Sequence, residues 1–107
     1  MKIYLDQNPS SCPSGWTHAE DVTDVLRELL TGEEPVEEID VTDELGLEKK
    51  GGYELLRWIL ARIESLSYPF TDKQVPAVKV HAENRENRQI LSNLANQIEQ
   101  QQHLAFA

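Results

Sequence analysis

Three short apolar runs, each stopping at a cluster of turn formers and each leading to a stripe of apolar residues at helical spacing, alternate along this chain. Met1 to Leu5 stops at Asp6-Gln7-Asn8-Pro9, Val36 to Val41 at Thr42-Asp43-Glu44-Leu45-Gly46, and Val75 to Val80 at His81-Ala82-Glu83-Asn84. Runs of this length bounded by polar turn residues read as strands. In the first stripe Val22, Val25, Leu26, Leu29 and Leu30 fall at i, i+3, i+4, i+7 and i+8, with Gly32 as the stop. That spacing lines one face of a helix. The second stripe, Tyr53, Leu55, Leu56, Ile59, Leu60 and Ile63, ends near Glu64 and is broad enough for a helix lying on a sheet. A third, Ile90, Leu91, Leu94, Ala95 and Ile98, follows Asn84, a good N-cap. Strand-helix alternation of this kind predicts an α/β fold: a small open, mostly parallel sheet of three to four strands, with flanking helices and right-handed crossovers.

Local signals refine the outline. Thr17 and Glu20 stand at capping-box spacing, which predicts that the first helix begins at Thr17. Trp16-Thr17-His18 offers the other reading, a short edge strand that would be the fourth of the sheet. Lys79 inside the last strand predicts an edge or half-exposed position. The charged, glycine-bearing stretch Leu47 to Gly52 and the polar connection through Pro69 and Asp72 read as links. The last helix is expected to dissolve at Gln100-Gln101-Gln102. That leaves one domain over 1–102 and a tail over 103–107 that folds back, docks on another subunit or frays. With 107 residues, 39% of them hydrophobic, one core can be filled.

Composition excludes several classes of function. Nineteen acidic residues against ten basic ones, a net charge of −9, oppose loose binding to a phosphate backbone, which needs clustered Lys and Arg. No nonspecific nucleic-acid binding is expected. Arg85 and Arg88 could still hold a single phosphate, because short-range geometry can outweigh net charge, so small phosphorylated ligands and nucleotides stay in play. Cys12 is the one cysteine, which rules out an intrachain disulfide and a Cys-based zinc cluster. No apolar run approaches the roughly 18 to 20 residues that span a bilayer. A cytoplasmic protein with no membrane association is expected; the oligomeric state is left open.

Ligands of open parallel sheets bind beyond the carboxyl ends of the strands, so Asp6-Gln7, Thr42-Asp43-Glu44 and His81 to Asn84 are the residues to weigh. Asp6 with Asp43 or Glu44 would form an oxygen-rich cage suited to Mg²⁺, a hard ion that shares its ligands with substrate phosphates. Solvated loop acids are the plain alternative, at about even odds in so acidic a chain. His81, between a strand and a helix, could act as general acid or base or simply end the strand. Asn84 and Arg88 lie at the start of the last helix, where free amides and the dipole favour an anion and Arg88 can give two parallel hydrogen bonds to phosphate. An ordinary N-cap and a surface Arg would look the same.

With these segments in order, the chain resembles the cyclic-phosphate processing receiver domain family from Met1 to about Leu94. The resemblance rests on KIYLDQNPSSCPSGW at the start, LLTGEEPVEEIDVTDELG through the second strand, GGYELLRWI at the second helix and VHAEN with Arg88 downstream. It implies a flavodoxin-like sheet, shortened relative to ordinary receivers, and a role in sensing or processing nucleotide or RNA cyclic phosphates. The departures matter too. Gln7 replaces the second member of the family's first acidic pair, and Thr42, Asp43 and Glu44 stand where the family has Asp, His and Asp. Asp6, Glu44, His81 and Asn84 match, with Asp43 a substitute ligand one residue along.

Two functions follow as expectations. One is a metal-dependent cyclic-phosphate phosphoesterase, with Asp6, Asp43 and Glu44 on Mg²⁺, His81 moving a proton, and Asn84 with Arg88 fixing the phosphate. The other is a catalytically inactive receiver-like module that senses a ligand or docks a protein partner, around Trp58 or the Leu104/Phe106 tail.

Overall fold

The computed structural model describes residues 1–45, 51–65, 68–70 and 75–106, and the side chains as far as Leu104. Most of the charged stretch at 47–52, the link residue Asp72 and the terminal Ala107 lie outside the described residues. Strands β1 (Lys2–Leu5), β2 (Thr17–Ala19), β3 (Glu38–Val41) and β4 (Ala77–Val80) alternate with helices α1 (Val22–Thr31), α2 (Gly52–Glu64) and α3 (Arg85–Phe106). The strands form one sheet in the order β2-β1-β3-β4, every pair parallel. The expected α/β architecture is present with four strands, and Lys79 sits on the edge strand β4.

Ile3, Leu5, Ala19, Ile39 and Val41 are buried on one face of the sheet, in the same cluster as Val25 of α1, Leu55, Leu56, Ile59 and Ile63 of α2, and Leu91 and Ile98 of α3. Full burial of each such side chain stabilises by roughly 1.5–3 kcal/mol. Residues of the other parity, Lys2, Tyr4, Glu38, Asp40 and Lys79, are exposed or half-buried. All three helices therefore lie on one side. For α1 and α2 the reason is topological: β1 to β2 steps one way across the sheet, while β2 to β3 and β3 to β4 step the other, and right-handed connections put the two directions on opposite faces; α3, after the last strand, shares their core cluster. Among the described residues only the β1–β2 connection, which holds a single turn of 3-10 helix at Pro9–Ser11, crosses the second face.

Two expectations are corrected. The first helix starts at Val22, not Thr17, because residues 17–19 pair with β1 in the register Ile3↔Thr17, Tyr4↔His18, Leu5↔Ala19. The ladder takes the backbone groups that a cap at Thr17 would need. Capping falls to Asp21, whose carboxylate accepts the Asp24 amide at 3.0 Å, while Asp24 accepts the Glu20 amide at 3.2 Å. At the other end, α3 does not stop at the glutamines but continues to Phe106. Glutamine is a good helix former, so the helix carries on past its last buried residue, Ile98, and leaves Leu104 76% exposed. Trp58 is half-buried and meets Phe70 edge-on, with centroids 6.1 Å apart.

Two glycines let α2 sit close to the exit of β3. The Gly52 amide donates to the Thr42 carbonyl at 2.9 Å, and a Cβ at Gly52 would stand 2.9 Å from that same oxygen. This contact fixes the turn 42–45 against the helix.

Candidate functional site

The strand register brings four side chains together. Tyr4 pairs with Asp40 and Asp40 with Lys79, so Tyr4, Asp40 and the residues two further along, Asp6 and His81, project from the helix-free face. The His81 amide donates to the Val41 carbonyl at 2.9 Å, which extends the β3–β4 ladder and holds His81 in strand register. Its Nδ1 lies 2.7 Å from Asp40 Oδ1 and its Nε2 lies 3.0 Å from Asp6 Oδ2. A carboxylate on each ring nitrogen requires a hydrogen on each, which is the imidazolium. Burial works against that charge, but hydrogen bonds to Asp40 and Asp6 and their negative charge outweigh it, and the His81 pKa is raised above its ordinary value. The Tyr4 ring stacks on the imidazole at 4.2 Å and 8°, a face-on contact that favours the cation. Burial, then the charges of Asp6 and Asp40, raise the Tyr4 pKa and keep the phenol neutral.

Local turns hold the rest. Asp6 Oδ1 accepts the Asn8 amide at 2.8 Å, and Asn8 in turn accepts the Ser10 amide at 3.1 Å, so the chain leaving β1 folds back at once. The ring of His18 lies 2.6 Å from the Asp6 carbonyl. Thr42 is buried and its hydroxyl accepts the Glu44 amide at 3.2 Å. Glu44 Oε1 accepts the Asn84 amide at 2.7 Å, so a carboxylate already lies at the start of α3. Asn84 is the N-cap, its side chain accepting the Asn87 amide at 3.0 Å. Asp43 turns the other way and accepts the Tyr53 amide of α2 at 3.1 Å.

An open cavity of about 590 Å³ lies at this end of the sheet, with Asp6, Gln7, Thr42, Glu44, His81 and Arg88 among its walls. Of the residues singled out in the sequence, Asp6, Glu44, His81 and Arg88 share it. Asn84 serves beside it as the cap of α3, and Asp43 belongs to the start of α2. Asp40 and Tyr4, central to the cluster, were not among the residues singled out. Asp40 had a signal: alternation puts it opposite Ile39 and Val41, on the side that Tyr4 and Asp6 share.

Among the described residues no group of three or more His, Cys, Asp or Glu side chains is arranged to hold a metal ion. The donor chemistry says why. Both Asp6 oxygens accept hydrogen bonds, one of them from an imidazolium, Glu44 holds the Asn84 amide, and Asp43 holds that of Tyr53. These residues do not fit a ready-made Mg²⁺ cage. Among the described residues no helix is long and apolar enough to cross a membrane.

The family model of the cyclic-phosphate processing receiver domain matches residues 1–97. Searches of curated proteins and of solved structures find no match. The chain belongs to the cyclic-phosphate processing receiver domain family, and its four-stranded parallel sheet with three helices has the receiver-like, flavodoxin-like order.

Proposed function

We propose that this receiver-like domain recognises a nucleotide or RNA cyclic phosphate in the cavity at the carboxyl ends of its strands. The observation that carries the reading is the His81 ring, held between Asp6 and Asp40 at 3.0 and 2.7 Å, on the same cavity as Arg88. Arg88 supplies a forked donor for phosphate oxygens. Asn84 contributes by setting the first turn of α3 rather than by direct contact.

The same geometry suits ring opening by water. Asp40 orients the imidazole through Nδ1, as the carboxylate of a catalytic dyad does. Water adds to phosphorus, the strained P–O bond breaks, and the departing oxygen takes the Nε2 proton of His81. Asp6 accepts the proton from the attacking water and returns it to His81 through their existing hydrogen bond. No step calls on a metal. Mg²⁺ enters only as an ion that phosphate itself would bring, and the assay below tests it.

A second reading has its own support. Both His81 nitrogens are already engaged, and Gln7 and Thr42 stand where the family carries acids. On that reading the domain binds its ligand without turnover and passes the signal to a protein partner.

The deciding experiment titrates the purified protein with a panel of cyclic-phosphate nucleotides, with Mg²⁺ and with a chelator, following binding by calorimetry and turnover by phosphorus NMR. Hydrolysis that His81→Gln abolishes even at ligand concentrations that saturate the variant establishes the enzyme. Binding that Arg88→Ala weakens, with no turnover, establishes the module. Absence of binding throughout the panel overturns the reading.

A further inference from the structure

The helix-free face of the sheet carries side chains that the cavity does not use. Trp16, at the end of the β1–β2 connection, meets Tyr4 edge-on with centroids 6.4 Å apart. The ammonium groups of Lys2 and Lys79 approach its ring to 5.7 and 5.6 Å. Lys2 is on β1 and Lys79 on β4, with β3 between them, so one indole gathers two cations from separate strands. The acids on this face have partners: Asp6 and Asp40 share His81, which can offset only one of their two charges, and Glu38 lies 3.4 Å from Lys79. Lys2 has no acidic partner among the described residues. On a chain of net charge −9, an indole flanked by ammonium groups on an open sheet face has the chemistry of a stacking platform with counter-charge for phosphate.

We propose that Trp16, Lys2 and Lys79 form a nucleoside subsite next to the cavity. The base of the terminal nucleotide stacks on Trp16, and the phosphodiester on its 5′ side pairs with Lys2 and Lys79. The preferred ligand is then the 3′ end of an RNA strand, not a free small cyclic phosphate. Tyr4 links the two parts: it lines the cavity and touches the indole. The proposal rests on the reading that a cyclic phosphate occupies the cavity.

Three probes separate the two claims: glycerol 1,2-cyclic phosphate, which has no base; adenosine 2′,3′-cyclic phosphate; and a trinucleotide RNA ending in a 2′,3′-cyclic phosphate. The trinucleotide is expected to bind at least about fivefold more tightly than the base-free probe, since stacking on an aromatic side chain contributes about 1–3 kcal/mol per base. It should also quench the Trp16 emission in a Trp58→Phe background. Replacing both Lys2 and Lys79 with Ala should remove most of the strand's advantage. Its salt dependence should fall by about 0.7 in logarithmic slope, for the one single-strand phosphate that the two lysines hold, with base-free binding unchanged. Trp16→Ala should abolish the preference for a base, and Trp16→Phe should restore most of it. Equal affinity for all three probes overturns the platform and leaves the cavity reading standing. So does a strand preference that survives both the lysine and the Trp16 replacements. Failure of all three probes to bind brings down both. If Trp16→Ala does not fold, the lysine variant and the quenching decide alone.

Discussion

Replacing His81 with glutamine removes the cation that keeps two carboxylates apart. The wild-type ring gives two charge-assisted hydrogen bonds, at 2.7 and 3.0 Å, and bonds to charged groups contribute roughly 1.5–3 kcal/mol each. The side chains are 25% exposed at His81, 19% at Asp6 and 18% at Asp40, so solvent screens part of this. A glutamine amide can keep one weaker bond but leaves Asp6 and Asp40 repelling. The expected loss is about 2–3 kcal/mol, a large part of the roughly 5–15 kcal/mol that holds a domain together. In urea at pH 6, with a slope of about 1.5 kcal/mol/M, the midpoint should fall by about 1–2 M. The pH dependence has a definite sign. A histidine whose folded pKa is raised contributes fully below its unfolded value of about 6.5 and loses that contribution as pH rises through the folded value. The gap between wild type and variant should therefore narrow above about pH 6.5. A midpoint shift below about 0.3 M at pH 6, or a gap that does not narrow on the alkaline side, would refute the imidazolium assignment.

Asp43→Ala should cost about 1 kcal/mol in thermal or urea unfolding by freeing the Tyr53 amide, and ligand binding measured by calorimetry should not change. Glu44→Gln tells an anion site from a metal site by sign: removing a carboxylate from the start of α3 should tighten phosphate ligands several-fold in calorimetry, whereas a metal ligand lost there would weaken them. Gly52→Ala should lower stability by about 1–3 kcal/mol in chemical denaturation, because the added methyl meets the Thr42 carbonyl and Val41 Cβ. Leu91→Ala, in a position with 1% exposure, should cost about 2–5 kcal/mol by the same measurement.

Element types were legible because the stripe Val22 to Leu30 and the alternation around Ile39 and Val41 are strong periodic signals. Boundaries were less so. Thr17 and Glu20 carry a helix-start pattern, yet pairing with β1 offers residues 17–19 a ladder that a four-residue motif does not report. The glutamine run of α3 has helix propensity but no apolar stripe, and only propagation from the preceding turns carries it to Phe106. At the site, position after a strand pointed to Asp6, Glu44 and His81. Asp40 escaped because it lies inside a strand rather than after one, and its partner is 41 residues away. Asp43 and Glu44 are neighbours of one chemistry, and which faces the cavity depends on how α2 packs against residues 42–45.

His81 directly follows a strand with a neighbour on only one side. An edge strand of four residues, flanked by β3 alone, opens more easily than the centre of a sheet. In this chain two charge-assisted bonds, to Asp6 just beyond β1 and to Asp40 of β3, tether the end of that strand. Once His81 loses its proton the tether slackens, so amide exchange along β4 should quicken at alkaline pH before that of β1 does. Anything that keeps the proton in place holds the edge of the sheet shut, and the carboxyl end of β4 then reports, through local opening, the charge state of the cavity beside it.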